Sequence, residues 1–218
     1  MKITHYAAGV TAAVLALGCA TMAQAGTYSN GPQAGSISQF GFSDSQTYGE
    51  VFTAQETGTL SSFTMYLDGA IGGTLYGGIG EWNGGSSFNL GGGVSNPLYD
   101  SAQVAANHGG AYSFAPGINL TGGTVYVAYL SVFGANNSGQ GTTSMPLGSG
   151  GGGFDYFVWN NSNGGPHASG WNYFGDFGNA RLDLNIGGAV PEPATWAFMI
   201  MGFGGVGAVM RRRRMAFA

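Results

Sequence analysis

Few residues in this 218-residue chain are of types that do chemistry, and their spacing fits no common reaction centre. Between positions 26 and 190 the only imidazoles are His108 and His167, and neither stands in an H-E-x-x-H or other metal-ligand spacing. No G-x-S-x-G turn is present to raise a serine nucleophile. Gly91-Gly92-Gly93 is not followed by Gly-Lys-Ser/Thr, so it makes no phosphate cradle. The single cysteine, Cys19, excludes a disulfide scaffold and a multi-cysteine zinc site. Nine carboxylates remain: Asp44, Glu50, Glu56, Asp68, Glu81, Asp100, Asp155, Asp176 and Asp183. Two facing acids would serve a glycoside hydrolase, but no motif pairs any of them. A hard cation such as calcium could use Asp155, Asp176 and Asp183, although no EF-hand or RTX repeat is present. The expectation is a protein with no catalytic residues and no cofactor, structural calcium being the one alternative.

Aromatic residues cluster instead. Phe154, Tyr156, Phe157, Trp159, Trp171, Tyr173, Phe174 and Phe177 fall within one stretch, beside Asn160, Asn161, Asn172 and Asp176. Sugar rings stack their C–H faces on aromatic planes, and amide and carboxylate groups bind their hydroxyls. Alternating aromatics also fill cores, and Phe154, Phe157 and Phe177 are assigned there. Trp159 and Trp171 border polar, Gly-rich loops; with Tyr156 and Asn160 they are the candidate glycan contacts.

The elements that must hold these residues are strands. Between positions 26 and 190, only Val94 to His108 runs more than ten residues without glycine, and it contains Pro97. Glycine inside a helix costs about 1 kcal/mol relative to alanine, so helices are disfavoured. Phe63, Met65 and Leu67 alternate with Thr64, Tyr66 and Asp68; Leu182, Leu184 and Ile186 alternate with Arg181, Asp183 and Asn185. Both patterns predict strands with one wet face. Thr124 to Phe133 is apolar on both faces and predicts a central strand. Tyr48 to Thr53, Leu75 to Trp82, Leu98 to Gln103, Tyr112 to Phe114 and Phe154 to Trp159 are further candidates. Eight or so short strands separated by Gly-rich turns predict an all-β, antiparallel sandwich of jelly-roll type over residues 26–190. Gly134 to Gly153 is long for a structureless loop, so it either carries function or hides a strand. Asn160 to Gly170 is a second long loop.

Charge is placed unevenly. Lys2 lies at one end and Arg211 to Arg214 at the other. Between positions 26 and 190, one base, Arg181, faces the nine acids, a formal charge of −8. Nucleic-acid binding needs clustered cations and is excluded.

The two ends read as targeting segments. Lys2, the apolar run Ala7 to Leu17 and the A-x-A triplet Ala23-Gln24-Ala25 before Gly26 predict a signal peptide over residues 1–25, cut by signal peptidase. Leu17-Gly18-Cys19 keeps a lipoprotein reading open. At the other end, Pro191-Glu192-Pro193 precedes an apolar run containing Trp196, and Arg211, Arg212, Arg213 and Arg214 follow it. The 17 residues from Ala194 to Met210 are at the lower limit for a membrane-spanning helix, with the arginines on the cytoplasmic side. Pro191 and Pro193 keep the preceding chain extended. A plain C-terminal anchor would satisfy the same physics.

These C-terminal residues resemble the PEP-CTERM sorting signal of Gram-negative bacteria. The resemblance implies recognition and cleavage by an exosortase in the inner membrane, then delivery to the cell surface or exopolysaccharide matrix. The segments Gly49 to Ala54, Gly58 to Gly69, Leu98 to Ala102, Leu120 to Ser131, Gly151 to Asn161 and Arg181 to Leu184 are also similar to a recurring ectodomain of such proteins. That likeness implies a β-sandwich like those of carbohydrate-binding domains, and no activity. The favoured function is therefore a non-enzymatic exported surface protein; a carbohydrate-binding module is the principal alternative and a secreted glycoside hydrolase a distant one.

With one base among nine acids, the span 26–190 cannot draw on a network of ion pairs. Exposed pairs contribute only about 0–1 kcal/mol each, so little stability is lost. Salt should screen repulsion among the acids. The melting temperature should stay constant or rise between low and moderate NaCl in differential scanning calorimetry; a clear fall would contradict the argument.

Overall fold

A computed structural model describes residues 26–42, 44–85, 92–136, 138–161, 165–173, 177–188 and 201–203. Ala25–Ala189 forms one compact unit, and Met1–Gln24 with Val190–Ala218 is grouped apart from it. In the second group only Met201–Phe203 is described; it is helical and exposed. The expected span over 194–210 otherwise lies outside the described residues, and no described helix is long and apolar enough to cross a membrane.

The strands are β1 (Gly26–Ser29), β2 (Ser36–Gly41), β3 (Thr47–Thr53), β4 (Gly58–Leu67), β5 (Thr74–Trp82), β6 (Val94–Asp100), β7 (Val104–Ala105), β8 (Gly110–Phe114), β9 (Ile118–Leu120), β10 (Val125–Ser131), β11 (Thr142–Gly148), β12 (Phe154–Asn160), β13 (Trp171–Tyr173), β14 (Asn179–Ala180) and β15 (Leu182–Gly188). One sheet runs β1-β15-β4-β8, with β9 also on β4. A second runs β13-β12-β3-β10-β5-β6, with β7 on β5, and a small third runs β14-β11-β2. Every strand pairing is antiparallel. This is the all-β sandwich expected from the alternating patterns.

The patterns map directly onto the core. Phe63, Met65 and Leu67 on β4, and Leu182, Leu184 and Ile186 on β15, point inward and are buried. Tyr48 and Phe52 on β3, Leu75 and Ile79 on β5, and Tyr126, Ala128 and Leu130 on β10 meet them from the second sheet. Ile37 and Phe40 of β2, Met145 of β11 and Ala180 of β14 complete the same cluster, so all three sheets share one core. Burial of each large side chain stabilises by roughly 1.5–3 kcal/mol. β10 lies between β3 and β5, and its alternate residues Val127 and Tyr129 are buried on the other face of the sheet. That is why its sequence is apolar throughout.

Two differences from the sequence reading have local causes. The strand expected at Leu98 to Gln103 is the end of β6, which begins at Val94 and stops at Asp100, before the separate β7. The long segment Gly134 to Gly153 contains β11, which pairs with both β2 and β14. Its sequence, Thr-Thr-Ser-Met-Pro-Leu-Gly, carries little hydrophobic alternation, and among its large apolar side chains Met145 alone is fully buried.

One acid is inside the core. Glu50 on β3 is 0% exposed and points toward the third sheet. Its Oε1 accepts from Asn179 Nδ2 at 2.6 Å and its Oε2 from the Ala180 N–H at 2.8 Å. Burial pushes its carboxyl well above the usual carboxylate range; the bonds from Asn179 and Ala180 pull the other way, and the charge of Asp155 adds to the rise. The native state therefore holds a proton that the unfolded chain has released. Stability from this group is full below the ordinary carboxylate pKa and is lost as pH rises through the elevated folded value. In thermal melts across mildly acidic to mildly alkaline pH, the melting temperature of the wild type should fall relative to that of Glu50→Gln, which keeps the shape without the charge. A difference that stays flat or moves the other way would refute this.

Candidate functional site

The described part of the loop expected at Asn160 to Gly170, residues 160–161 and 165–170, is a strap on the outer face of the second sheet. Asn160 is 1% exposed, and its Nδ2 donates to the carbonyls of Gly165 at 3.2 Å and Ala168 at 3.3 Å. Trp171, fully buried, donates through Nε1 to Pro166 O at 2.9 Å. The single 3-10 turn Gly165–His167 then brings His167 to the far side of the sheet. There His167 Nε2 lies 3.0 Å from Asp100 Oδ2 and 3.0 Å from Tyr129 Oη, while Tyr129 Oη donates to Asp100 Oδ1 at 2.5 Å.

The register explains how a β10 side chain reaches β6. Gly78 of β5 stands opposite Tyr129 on one side and Asp100 on the other. A Cβ on Gly78 would collide with the Tyr129 ring, so the phenol crosses β5 over bare backbone. Gly49 of β3, the other neighbour of Tyr129, similarly leaves room for the Trp171 ring, 3.3 Å from where its Cβ would stand. Burial raises the Tyr129 phenol far above its ordinary range, and the hydrogen bond to Asp100 and the charge of Asp100 raise it further. Tyr129 is therefore a fixed hydroxyl donor. Each of the three side chains is engaged by the other two, and the geometry is that of a latch for the strap.

A cleft opens on the opposite face of the same sheet, where the core reaches solvent. It holds about 230 Å³ and is lined by Ile37, Ser38, Asp44, Ser45, Tyr48, Phe157, Trp159, Asn161 and Phe177. Trp159 and Tyr48 are direct cross-strand partners on β12 and β3. Phe157 meets Tyr48 edge-on at 4.7 Å between centroids and Phe177 at 6.4 Å. Asn161 Oδ1 accepts from the Gln46 N–H at 3.0 Å, which fixes the polar wall. The Tyr48 phenol is raised above its usual range, chiefly by burial, and stays protonated.

The candidate glycan contacts are thus separated. Trp159 is half-buried and lines the cleft. Tyr156 faces the other way, where its Oη accepts from Trp82 Nε1 at 2.9 Å. Trp171 and Asn160 are buried in the strap and do not reach the cleft, which corrects the expectation that a tryptophan beside a Gly-rich loop is exposed. Phe154 and Phe157 are core residues as expected, whereas Phe177 is 44% exposed at the cleft mouth. Asp155 on β12 and Asp183 on β15 lie in different sheets, held by Thr53 and by Ser29 and Tyr66 respectively; Asp176 is outside the described residues. No group of three or more His, Cys, Asp or Glu suited to a metal occurs among the described residues. Sequence reasoning missed Asp44 and Tyr48, since only strand register brings them beside Trp159.

Gly26 begins β1, opposite Ile186. Ala23 and Ala25 lie outside the described residues, as do Pro191, Glu192, Pro193, Trp196 and the four arginines. The comparison with known families decides what those terminal residues are. Residues 189–214 match the family model of the PEP-CTERM protein-sorting motif. This chain carries that motif. The PEP-CTERM motif is a recognition signal for exosortase and implies an exported protein with membrane-associated sorting. No curated protein and no solved structure matches the chain significantly.

The strap geometry makes a test with an unusual sign. Replacing glycine by alanine within a strand ordinarily stabilises by roughly 0.5–1 kcal/mol. Gly78→Ala should instead destabilise by about 1–3 kcal/mol, because the Tyr129 ring must be driven off its path to Asp100. Urea unfolding would show it, and a stabilised variant would contradict the crossing.

Proposed function

We propose that this is an exported, non-enzymatic protein of the cell surface or exopolysaccharide matrix, processed at its two ends by signal peptidase and exosortase. The observation that carries the reading is the PEP-CTERM motif at residues 189–214, which begins directly after the last strand ends at Gly188. The segment up to that strand is the cargo, and the motif is its address. Support for a non-enzymatic role comes from the acids. Glu50, the most deeply placed, is enclosed by Asn179 and Ala180, and Asp100 is occupied by Tyr129 and His167. The charge of −8 over residues 26–190 argues against nucleic acid as a partner.

The cleft beside Trp159 favours a second reading, in which the delivered domain itself binds carbohydrate.

Changing Glu192 and Pro193 together to alanine removes the recognition segment while leaving the apolar run from Ala194 to Met210. The variant should accumulate unprocessed in the membrane fraction of the producing cell, as read by immunoblot. Processing at the wild-type rate would overturn the exosortase reading.

A further inference from the structure

We infer that the cleft between β2, β3 and β12 is a binding site for a single pyranose residue of a polysaccharide, one without an anionic group; the inference rests on the carbohydrate-binding reading above. Its inner wall is aromatic: Tyr48 and Phe157 form the floor, Trp159 one side, and the exposed Phe177 the mouth. Its rim is polar, with the hydroxyls of Ser38 and Ser45, the Asp44 carboxylate and the Asn161 amide. A pyranose has the same two-sided character, with an apolar C–H face and a girdle of hydroxyls. Apolar, shaped pockets with few polar groups suit small ligands in general. A volume of about 230 Å³ suits one ring rather than a long stretch of polymer. Exposure of Ser38, Asp44, Asn161 and Phe177 at the rim leaves room for the polymer to continue into solvent.

Charge decides which sugars fit. Asp44 is the only Asp, Glu, His, Lys or Arg among the described lining residues. Arg181, the one base of residues 26–190, lies on the other sheet with its guanidinium 3.8 Å from the Tyr66 ring centroid. Uronic, sulfated or phosphorylated sugars would meet a carboxylate and no cation, in a domain of formal charge −8. Burial keeps the Tyr48 phenol in its neutral, hydrogen-donating form. With Asp44 and the Asn161 amide it can serve the hydroxyls of a neutral ring.

Isothermal titration on the full chain, held in a detergent without a sugar headgroup, tests this. The probes are neutral oligosaccharides of glucose, mannose, galactose and xylose, with alginate oligomers as the anionic arm. Binding of at least one neutral oligosaccharide, with alginate weaker, is expected. Trp159→Ala should abolish it. That residue also packs against the core, so Phe177→Ala and Asp44→Ala, both at exposed positions, supply the decisive variants. Each should weaken binding by about fivefold or more, the loss expected where a side chain contributes about 1 kcal/mol. Failure of every neutral probe overturns both the inference and the carbohydrate-binding reading. Binding that survives unchanged in Phe177→Ala and Asp44→Ala overturns this site alone and leaves that reading standing. Tighter binding of alginate than of every neutral probe overturns the exclusion of anionic sugars. None of these outcomes bears on sorting, which is read by processing of the tail.

Discussion

Carboxylates in this domain must be satisfied without cations. With Arg181 the sole base between residues 26 and 190, the acids turn to hydroxyl, amide and backbone donors. Glu50 is held by Asn179 and the Ala180 N–H, Asp100 by Tyr129, Asp155 by Thr53, and Asp183 by Ser29 and Tyr66. Several of these bonds join distant parts of the chain, and two of them are structural joints. The Glu50 bonds attach the small third sheet to the centre of the second. The Tyr129–Asp100 bond, with His167, attaches the strap to the outer face. Hydrogen bonds that a carboxylate accepts are stronger than those between neutral groups, so the ties at Asp100, Asp155 and Asp183 are firm although Arg181 reaches none of them by an ion pair among the described residues.

That constraint also divides the second sheet into two working faces. Its inner face belongs to the shared core and ends in the cleft at Trp159. Its outer face, beside the strap, carries a smaller core of Val51, Trp82, Val127, Tyr129, Val158 and Trp171. The loop at 160–170, which in sequence looks like the part most able to bind something, is thus occupied in covering its own sheet. The cleft is left to the less conspicuous residues between β2 and β3.

Long strands were legible from the sequence because period-two alternation is a direct consequence of burying one face. β4 and β15 were read from that alternation, and β10 from its loss. The short strands β1, β7, β9, β13 and β14 have two to four residues, too few to show a period. β11 was hidden by Pro146 and its polar neighbours. The site was less legible than the fold for a related reason. Trp159 could be picked out by type, but its partners Tyr48 and Asp44 are over a hundred residues earlier and are brought near by strand register alone. Trp171 misled because a tryptophan beside a Gly-rich loop is the same in sequence whether the loop lies open or folds back over it. The C-terminal motif was legible in full because its recognition depends on local order of residues and on no tertiary contact.

The pairing of β1 with β15 sets an order of events for an exported chain. β15 lies between β1 and β4, so the first sheet has a gap at its centre until residues 182–188 are present. A polypeptide that crosses a membrane from its N-terminus delivers β1 first and its only partner last. The first strand must therefore wait, unpaired, while everything from β2 to β14 passes through. Completion of the sandwich coincides with arrival of the segment immediately before the sorting motif. The sandwich therefore cannot be complete until the chain has been delivered up to the edge of its own address.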